Sequence, residues 1–525
     1  FSEARYGGTV SITINGTPFE QVPIDANLRN RQNTVRIQVQ PGPLFTFATP
    51  RASTSGGQRI DMAQYGIVAG EPAKSEMIVA AEGKLIRAWR DKGYAFAKIG
   101  NREVIADHAM RKLEVDLTLN TGPLASFGSV TVRGEKDVEP GFIVQQADIP
   151  TGQVFNPKRI KDATDRLRAL GVFDSVVVSE AKSPGPGGTV PITVEVSERK
   201  KRTFGVGLTA ATDDGLGAEG FWLHRNLFGR AESLRLEGSV NGIGRGNFES
   251  SFDYLIGATF TKPGIWGPTT NFVSRLEARY EDTDAFKKES IGGSVGLTKK
   301  FNDQLDGEVA LTVEYAEYED ALGPSRSLLI SLPVQVIQDT RDNSLDPTKG
   351  YRLLMAVEPS YDTQNSNSFV KVEGAFSTYW AVNPEKTVVL AGKIAAGSIF
   401  GANLLQVPPD RRFYAGGGGS IRGYGYQLAS PRRGDDLIGG LSIVEASFET
   451  RYKLTDTIGL AAFVDTGGAF ASSTPGENGT WYTGVGGGVR YLSPVGPLRL
   501  DVGFPLKKID GDPDFGVYLG LGQAF

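Results

Sequence analysis

Two hydrophobic periods divide this chain of 525 residues. From Thr203 onward, apolar and polar positions alternate in segments of roughly nine to twelve residues, separated by clusters of Gly, Asp, Asn and Pro. In "GEVALTVEYAEY", Val309, Leu311, Val313 and Tyr315 face one way, and Glu308, Thr312 and Glu314 the other. In "VKVEGAFSTYW", Val370, Val372, Phe376 and Trp380 oppose Lys371 and Glu373. "RLEARY", "GYRLLMAV" and "LSIVEASFETRY" repeat the pattern, giving about sixteen segments. A soluble sandwich or propeller needs a dry inner face, but here Glu, Lys and Arg recur on the face opposite the apolar one. That combination predicts a transmembrane barrel with a polar lumen. Trp and Tyr at the ends of the apolar face suit headgroup depth. The last segment, "FGVYLGLGQAF", is predicted to put Val517, Leu519, Leu521 and Phe525 on one face.

The first 200 or so residues mix both periods. Ser75 to Arg90 carries Ile78, Ala81, Leu85 and Trp89 on one helical face, closed by Gly93. Asn156-Pro157 predicts a second helix, an N-cap followed by proline at the first helical position, with Ile160, Leu167 and Leu170 on one face and a stop at Gly171. "GPLFTF" at Gly42–Phe47 returns as "GPLASF" at Gly122–Phe127, which predicts repeated small α+β modules. "ARYGGTVSITI" reads as the tail of an earlier module. The expected domains are therefore 1–42 (the C-terminal part of a first module), 43–122, 123–201, and a barrel over 202–525. The predicted fold class is α+β modules followed by an all-β transmembrane barrel of about 16 antiparallel strands.

Composition narrows the function. There is no cysteine, so no disulfide framework and no thiolate metal site. The net charge of −4 argues against nucleic acid as a main partner. No uncharged apolar run reaches the length of a membrane helix. The first residues, "FSEARYGGTV", lack the basic and apolar regions of a signal peptide, and the chain is expected to begin inside a folded module.

The segment "RRFYAGGGGSIRGYGYQ" falls between the predicted eleventh and twelfth strands, in a connection far longer than a hairpin turn. In a barrel this is an external loop, and a lumen as wide as sixteen strands leave admits its tip. Arg422, carried inward, is expected to meet luminal carboxylates. Strand parity offers Glu445 and Glu449, opposite Val444, Ala446 and Phe448, and Asp465, opposite Val464. A planar guanidinium suits bidentate pairing, and a partly desolvated cluster fixes one conformation, so Arg422 is read as a latch.

"IRGYGY" resembles the arginine-bearing loop motif of the BamA/TamA superfamily of outer-membrane assembly proteins. "FVDTGGAF" (Phe463–Phe470), "SPVGPLRLDVGFPL" (Ser493–Leu506) and "DTRDNSLDPTKGY" (Asp339–Tyr351) match further motifs in the same order. "VPPDRRFYAGGGGSIRGY" with "VYLGLGQAF" is most similar to the TamA branch. The resemblance spans nearly the whole chain, with the α+β modules in the place of POTRA domains. Gly418 and Gly419 depart from the family pattern, which commonly has a charged or polar residue there.

The resemblance implies a functional loop of Ile421, Arg422, Gly423 and Tyr424, with Glu449 and Asp465 as luminal partners of the arginine. Glu445, Phe463 and Gly467 are expected to support it. It implies a non-enzymatic factor of the Gram-negative outer membrane, with POTRA domains in the periplasm and no cofactor or metal. Expected partners are outer-membrane lipid, unfolded client outer-membrane proteins and a TamB-like periplasm-spanning protein. Client strands would enter at a seam between the first and last barrel strands. Gly205, Gly207, Gly516, Gly520, Gly522 and Phe525 are its candidate residues, since glycine weakens cross-strand contact. Two-partner-secretion pores and BamA-like general insertases are alternatives. A passive porin is a different class, and residues 1–200 speak against it.

Other motifs carry less. "DTGG" at Asp465–Gly468 resembles an aspartic-protease signature without the second copy such an enzyme needs. Asp339, Asp342 and Asp346 do not have the spacing of an EF-hand, which favours a solvated turn. His108 and His224 are the only histidines and lie in different halves, so neither a two-histidine metal site nor a histidine triad is expected. "RKKR" at Arg199–Arg202 reads as a solvated linker.

Overall fold

The structure, a computed structural model, describes residues 4–22, 33–211, 215–243, 252–477, 479–494, 496–508 and 514–525. Phe1 to Glu3, where the chain was expected to begin within a module, lie outside these residues. The chain divides into two compact units. One comprises most of residues 1–197; the other comprises 198–525 together with Lys136–Gln146 and Leu170–Val172.

The first unit contains three small sheets. One is formed by Thr9–Ile14, Thr17–Pro18 and Val35–Gln40. The next joins Thr46–Phe47, Arg51–Thr54, Lys98–Asp107 and Lys112–Asn120, and the third joins Ser126–Arg133, Phe173–Glu180 and Thr189–Glu198. Helix α1 (Ser75–Asp91) buries Ile78, Ala81, Leu85 and Trp89, one stripe at helical spacing. The two copies of the sequence repeat play one part: Phe47 and Phe127 are both fully buried near the start of a strand. A short helix α2 (Pro140–Ala147), all but its last residue in the second unit, is not legible in the sequence because two turns opened by Pro-Gly give too little period to register. Helix α3 (Pro157–Ala169) starts where Asn156 was predicted to cap it, with the Asn156 side chain accepting from the Lys158 amide at 2.8 Å. Its fully buried residues are Ala163 and Leu167, while Ile160 is only half-buried.

The second unit is built around one large antiparallel sheet. Its first seven strands are β1 (Arg202–Ala211), β2 (Gly215–His224), β3 (Ser233–Ile243), β4 (Asp253–Pro263), β5 (Thr270–Asp282), β6 (Phe286–Lys300) and β7 (Leu305–Asp320). Strand β8 comes in two parts, Gly323–Ser331 and Val334–Asp339. Both parts pair with β7 and with β9 (Lys349–Asp362), so the interruption at Pro333 is a break within one strand position. Proline has no N–H for the ladder, which is why the strand breaks there. The sheet continues through β10 (Asn367–Ala381), β11 (Val388–Phe400), β12 (Ser442–Lys453) and β13 (Ile458–Phe470). It ends with β14 (Tyr482–Ser493), β15 (Gly496–Pro505) and β16 (Gly516–Leu521). Seventeen strand segments thus fill the sixteen predicted positions.

The outward face is apolar and exposed, with Leu311, Val313, Phe376 and Trp380 uncovered, while Glu314 on the other face of β7 is buried. Among the described residues β1 pairs with β2 and β16 with β15, and no ladder joins β1 to β16. Leu519 and Leu521 are exposed as the period predicts. Phe525 is not on their face. Gly522 takes φ +86°, the Gln523 amide donates to the Leu345 carbonyl at 2.9 Å, and the Phe525 ring lies 6.4 Å from that of Tyr379. A left-handed glycine ends the two-residue period, so Gly522 and Phe525 leave the strand and dock on the β8–β9 turn and the luminal wall.

Candidate functional site

The connection from Gly401 to Leu441 between β11 and β12 folds onto the inner wall of the sheet. Its two arms are zipped by reciprocal amide bonds between Phe413 and Gly440, both 2.8 Å. Val407, Phe413, Ala415, Ile421, Tyr424 and Ala429 are buried with Leu329, Phe369 and Ile399 of the wall, so the loop has an apolar core of its own. The glycines create tight backbone turns. Gly416, Gly417 and Gly423 sit at φ +109°, +96° and +105°, and the Gly417 amide donates to the Tyr424 carbonyl at 3.1 Å.

These turns present Arg422, 2% exposed, to the wall. Its Nε and Nη2 donate to the two oxygens of Asp465 at 2.7 and 2.9 Å, a bidentate pair, and its own amide donates to the same carboxylate at 3.1 Å. Nη1 reaches Glu449 at 2.9 Å and Asp501 at 3.2 Å. The guanidinium lies 3.4 Å from the centre of the Phe463 ring, a cation–π contact in a water-poor site. Strands β12, β13 and β15 each supply one carboxylate, so a single side chain ties three strands to the loop tip.

The tip also lies close against the strands, and glycine makes room for it. A Cβ on Gly484 would stand 1.8 Å from the Arg422 carbonyl oxygen, and one on Gly503 would stand 2.8 Å from the Gly423 nitrogen. Tyr424 is fully buried and its hydroxyl donates to the Thr483 carbonyl at 3.1 Å. The Gly423 amide donates to the Tyr518 hydroxyl on β16 at 2.9 Å.

Glu449, Asp465 and Phe463 meet the Arg422 guanidinium, Gly423 lies beside it against β16, and Ile421 and Tyr424 pack in the apolar core of the loop. Glu445 is buried nearby but accepts from the Ser420 hydroxyl, not from the arginine. Gly467 is a close-approach position, where a Cβ would meet the Val444 carbonyl oxygen at 2.2 Å.

The seam glycines are not bare. A Cβ on Gly205 would strike the Phe221 ring at 2.1 Å and one on Gly207 the Glu219 carboxylate at 2.6 Å. On β16, a Cβ on Gly516 would strike the Tyr518 hydroxyl at 2.3 Å and one on Gly520 the Arg499 Nε at 2.8 Å. Side chains of the same or the neighbouring strand fill the space each glycine leaves: β1 packs against β2, and β16 against itself and β15, and none of these contacts spans β1 to β16.

Several residues of the cluster were not anticipated. Arg451 Nε donates to Glu449 at 2.8 Å, and Arg490 Nη1 donates to Asp501 at 2.5 Å. Asp501, Arg451, Arg490 and Tyr518 therefore belong to the site. The signal was present in the parity of "ETRY", where Glu449 and Arg451 share a face, and of "LRLDV", where Arg499 and Asp501 do. Beside the loop a chamber of about 800 Å³ is lined in part by Lys371, Glu373, Glu445, Arg499 and Tyr518.

Outside the sheet, Asp342 in the β8–β9 turn accepts from the Thr348 amide and hydroxyl at 2.9 and 2.6 Å, from the Lys349 amide at 3.2 Å and from Lys386 at 3.2 Å. Burial raises its pKa, and these donors more than reverse that, leaving it well below the usual carboxylate range.

Residues 226–525 match the Omp85 superfamily domain, and residues 125–199 match the POTRA family described as a surface antigen variable number repeat. The outer membrane protein assembly factor BamA of Nitratidesulfovibrio vulgaris is 25% identical over 85% of this chain, and the chain spans 57% of that protein's length. A SAM50-like protein of Schizosaccharomyces pombe is 23% identical over 78% of this chain and 92% of its own. Among solved structures, BamA from Haemophilus ducreyi lacking POTRA domains 1–3 superposes with a TM-score of 0.70 at 17% identity, covering 91% of this chain and all of that one. CdiB from Acinetobacter baumannii superposes with a TM-score of 0.54 at 14% identity, covering 92% and 91%. With its barrel domain matched from Asn226, just after β2, to Phe525 and a POTRA module before it, this chain belongs to the Omp85 superfamily.

Proposed function

We propose that this protein is an outer-membrane assembly factor that helps client β-barrel and autotransporter proteins enter the membrane or cross it, without covalent chemistry, cofactor or metal. It resides in the Gram-negative outer membrane with its POTRA modules in the periplasm. A strand entering hydrocarbon cannot leave its N–H and C=O groups bare, so it needs a template edge. Parting of β1 from β16 supplies such an edge, and a client strand adds to it by β-augmentation. The observation that carries this reading is the bond from the latch to that edge. Gly423, next to Arg422, donates to Tyr518 of β16, so the state of the loop tip and the state of the terminal strand are coupled.

The relatives named BamA support an assembly role. The loop wording "VPPDRRFYAGGGGSIRGY" supports a TamA-like branch with a TamB-like partner at the POTRA modules. The test is a cysteine pair across β1 and β16 in a chain with no other cysteine. Oxidation is expected to stop client assembly and reduction to restore it. Full activity in the oxidised, locked barrel overturns the seam.

A further inference from the structure

The loop carries a second set of buried charges, on its incoming arm and far along the sheet from Arg422. Pro408 and Pro409 open a single turn of 3-10 helix ending at Arg411. Asp410 accepts from Lys288 of β6 at 2.6 Å and from the Tyr318 hydroxyl of β7 at 2.8 Å. Lys288 also donates to both oxygens of Glu314 at 3.2 Å. Arg411 reaches Glu314 at 3.2 Å and Glu358 of β9 at 3.5 Å. Arg412 pairs with Asp320 at 2.8 Å, both side chains 3% exposed, and its Nε and Nη1 also donate to the carbonyls of Val407 and Ile438 at 3.0 and 3.1 Å. Three consecutive charged residues thus hold three strands, β6, β7 and β9. None of these strands contributes to the Arg422 cluster.

We propose that Asp410, Arg411 and Arg412 form an independent clamp that fixes the arm of the loop to β6, β7 and β9, so that release of Arg422 moves the tip about an anchored base. These are positioning residues, and the proposal rests on reading Arg422 as a latch. The physical ground is separation of anchors. The Arg422 partners lie on β12, β13 and β15 and the clamp partners on β6, β7 and β9, with no side chain shared between the two clusters. Charges this deeply buried are costly to leave unpaired, so the arm is held wherever the tip goes. The coupling to function follows. A loop free at both ends would leave the lumen when Arg422 lets go, whereas a clamped loop swings and returns to the same register.

The cysteine-free background permits a direct test by maleimide labelling of the full chain in detergent. One reporter is Val407→Cys on the arm and the other is Ile421→Cys at the tip; both positions are buried. Asp410→Asn keeps the side-chain shape and removes the charge. It is expected to raise the labelling rate at position 407 about tenfold or more and to leave position 421 unchanged. Arg422→Gln is expected to do the reverse. Two results, each in a barrel that still shows native strand content, overturn the clamp: no change at 407 in Asp410→Asn, or equal exposure of both reporters in either variant. Labelling does not depend on client assembly, so a failed clamp is distinguishable from a failed assembly role.

Discussion

In the middle sheet of the first unit, the residues shielded from water are Phe45, Phe47, Ile67, Leu113, Val115 and Leu117. In the barrel, the side chains shielded to the same degree include Arg422, Glu449, Asp465, Arg490 and Asp501. The two regions have the same alternation along their strands and bury opposite halves of it. In the modules, water lies outside and the apolar face turns inward. In the barrel the outer solvent is hydrocarbon, so the apolar face turns outward and the charged face inward. Module stability then comes from burying apolar area, and barrel specificity from pairing charge. The consequence for mutation is that the modules should respond to lost volume and the barrel to lost complementarity.

The largest expected effect is on the charge side. Arg422→Glu places a fourth carboxylate among Glu449, Asp465 and Asp501, and client assembly in a depletion background should be lost while the purified barrel keeps its strand content by circular dichroism. Unchanged assembly would show that the cluster is not a latch. On the volume side, Phe45→Ala should cost the module about 3–5 kcal/mol, read as increased protease cleavage before residue 200 with the barrel protected. Equal cleavage in both regions would break the contrast. A charge on the lipid face tests the inversion itself. Leu311→Arg should destabilise the folded barrel by about 2 kcal/mol or more if it lies near the bilayer midplane, measured by urea titration in lipid, although the same change on a water-facing strand would be nearly neutral.

The smallest effect belongs to the β8–β9 turn, which is exposed and belongs to neither side of the contrast. The Asp342 pKa is depressed in the folded state, so its contribution is present above the unfolded value near 4 and is lost as pH falls through the lower folded value. Asp342→Asn should reduce stability at pH 7 by no more than about 1 kcal/mol, because the pair with Lys386 is solvent-screened. The difference from the parent should vanish at strongly acid pH in the same titration. A deficit that persists there would assign the effect to shape and not to charge.

The pattern of the sequence by itself determined the two-part architecture, because periods of 2 and 3.6 are set by backbone geometry and need no partner to be read. It also determined which carboxylates face the lumen, since Glu449 and Asp465 follow from parity on their own strands. It led to the arginine through a connection far longer than a hairpin turn, which the lumen of a sixteen-stranded barrel can admit. Tertiary structure alone decided the rest. Asp501 joins the cluster because β15 lies within reach of the tip, a distance no local pattern encodes. Phe525 leaves its strand face because Gly522 turns and the β8–β9 turn, nearly 180 residues earlier, offers the Leu345 carbonyl and Asp346 as acceptors. The glycines of β1 and β16, read singly as missing side chains, are room for Phe221 and Arg499. Each of these is a relation between segments far apart in the chain, fixed only when the sheet brings them within a few ångströms.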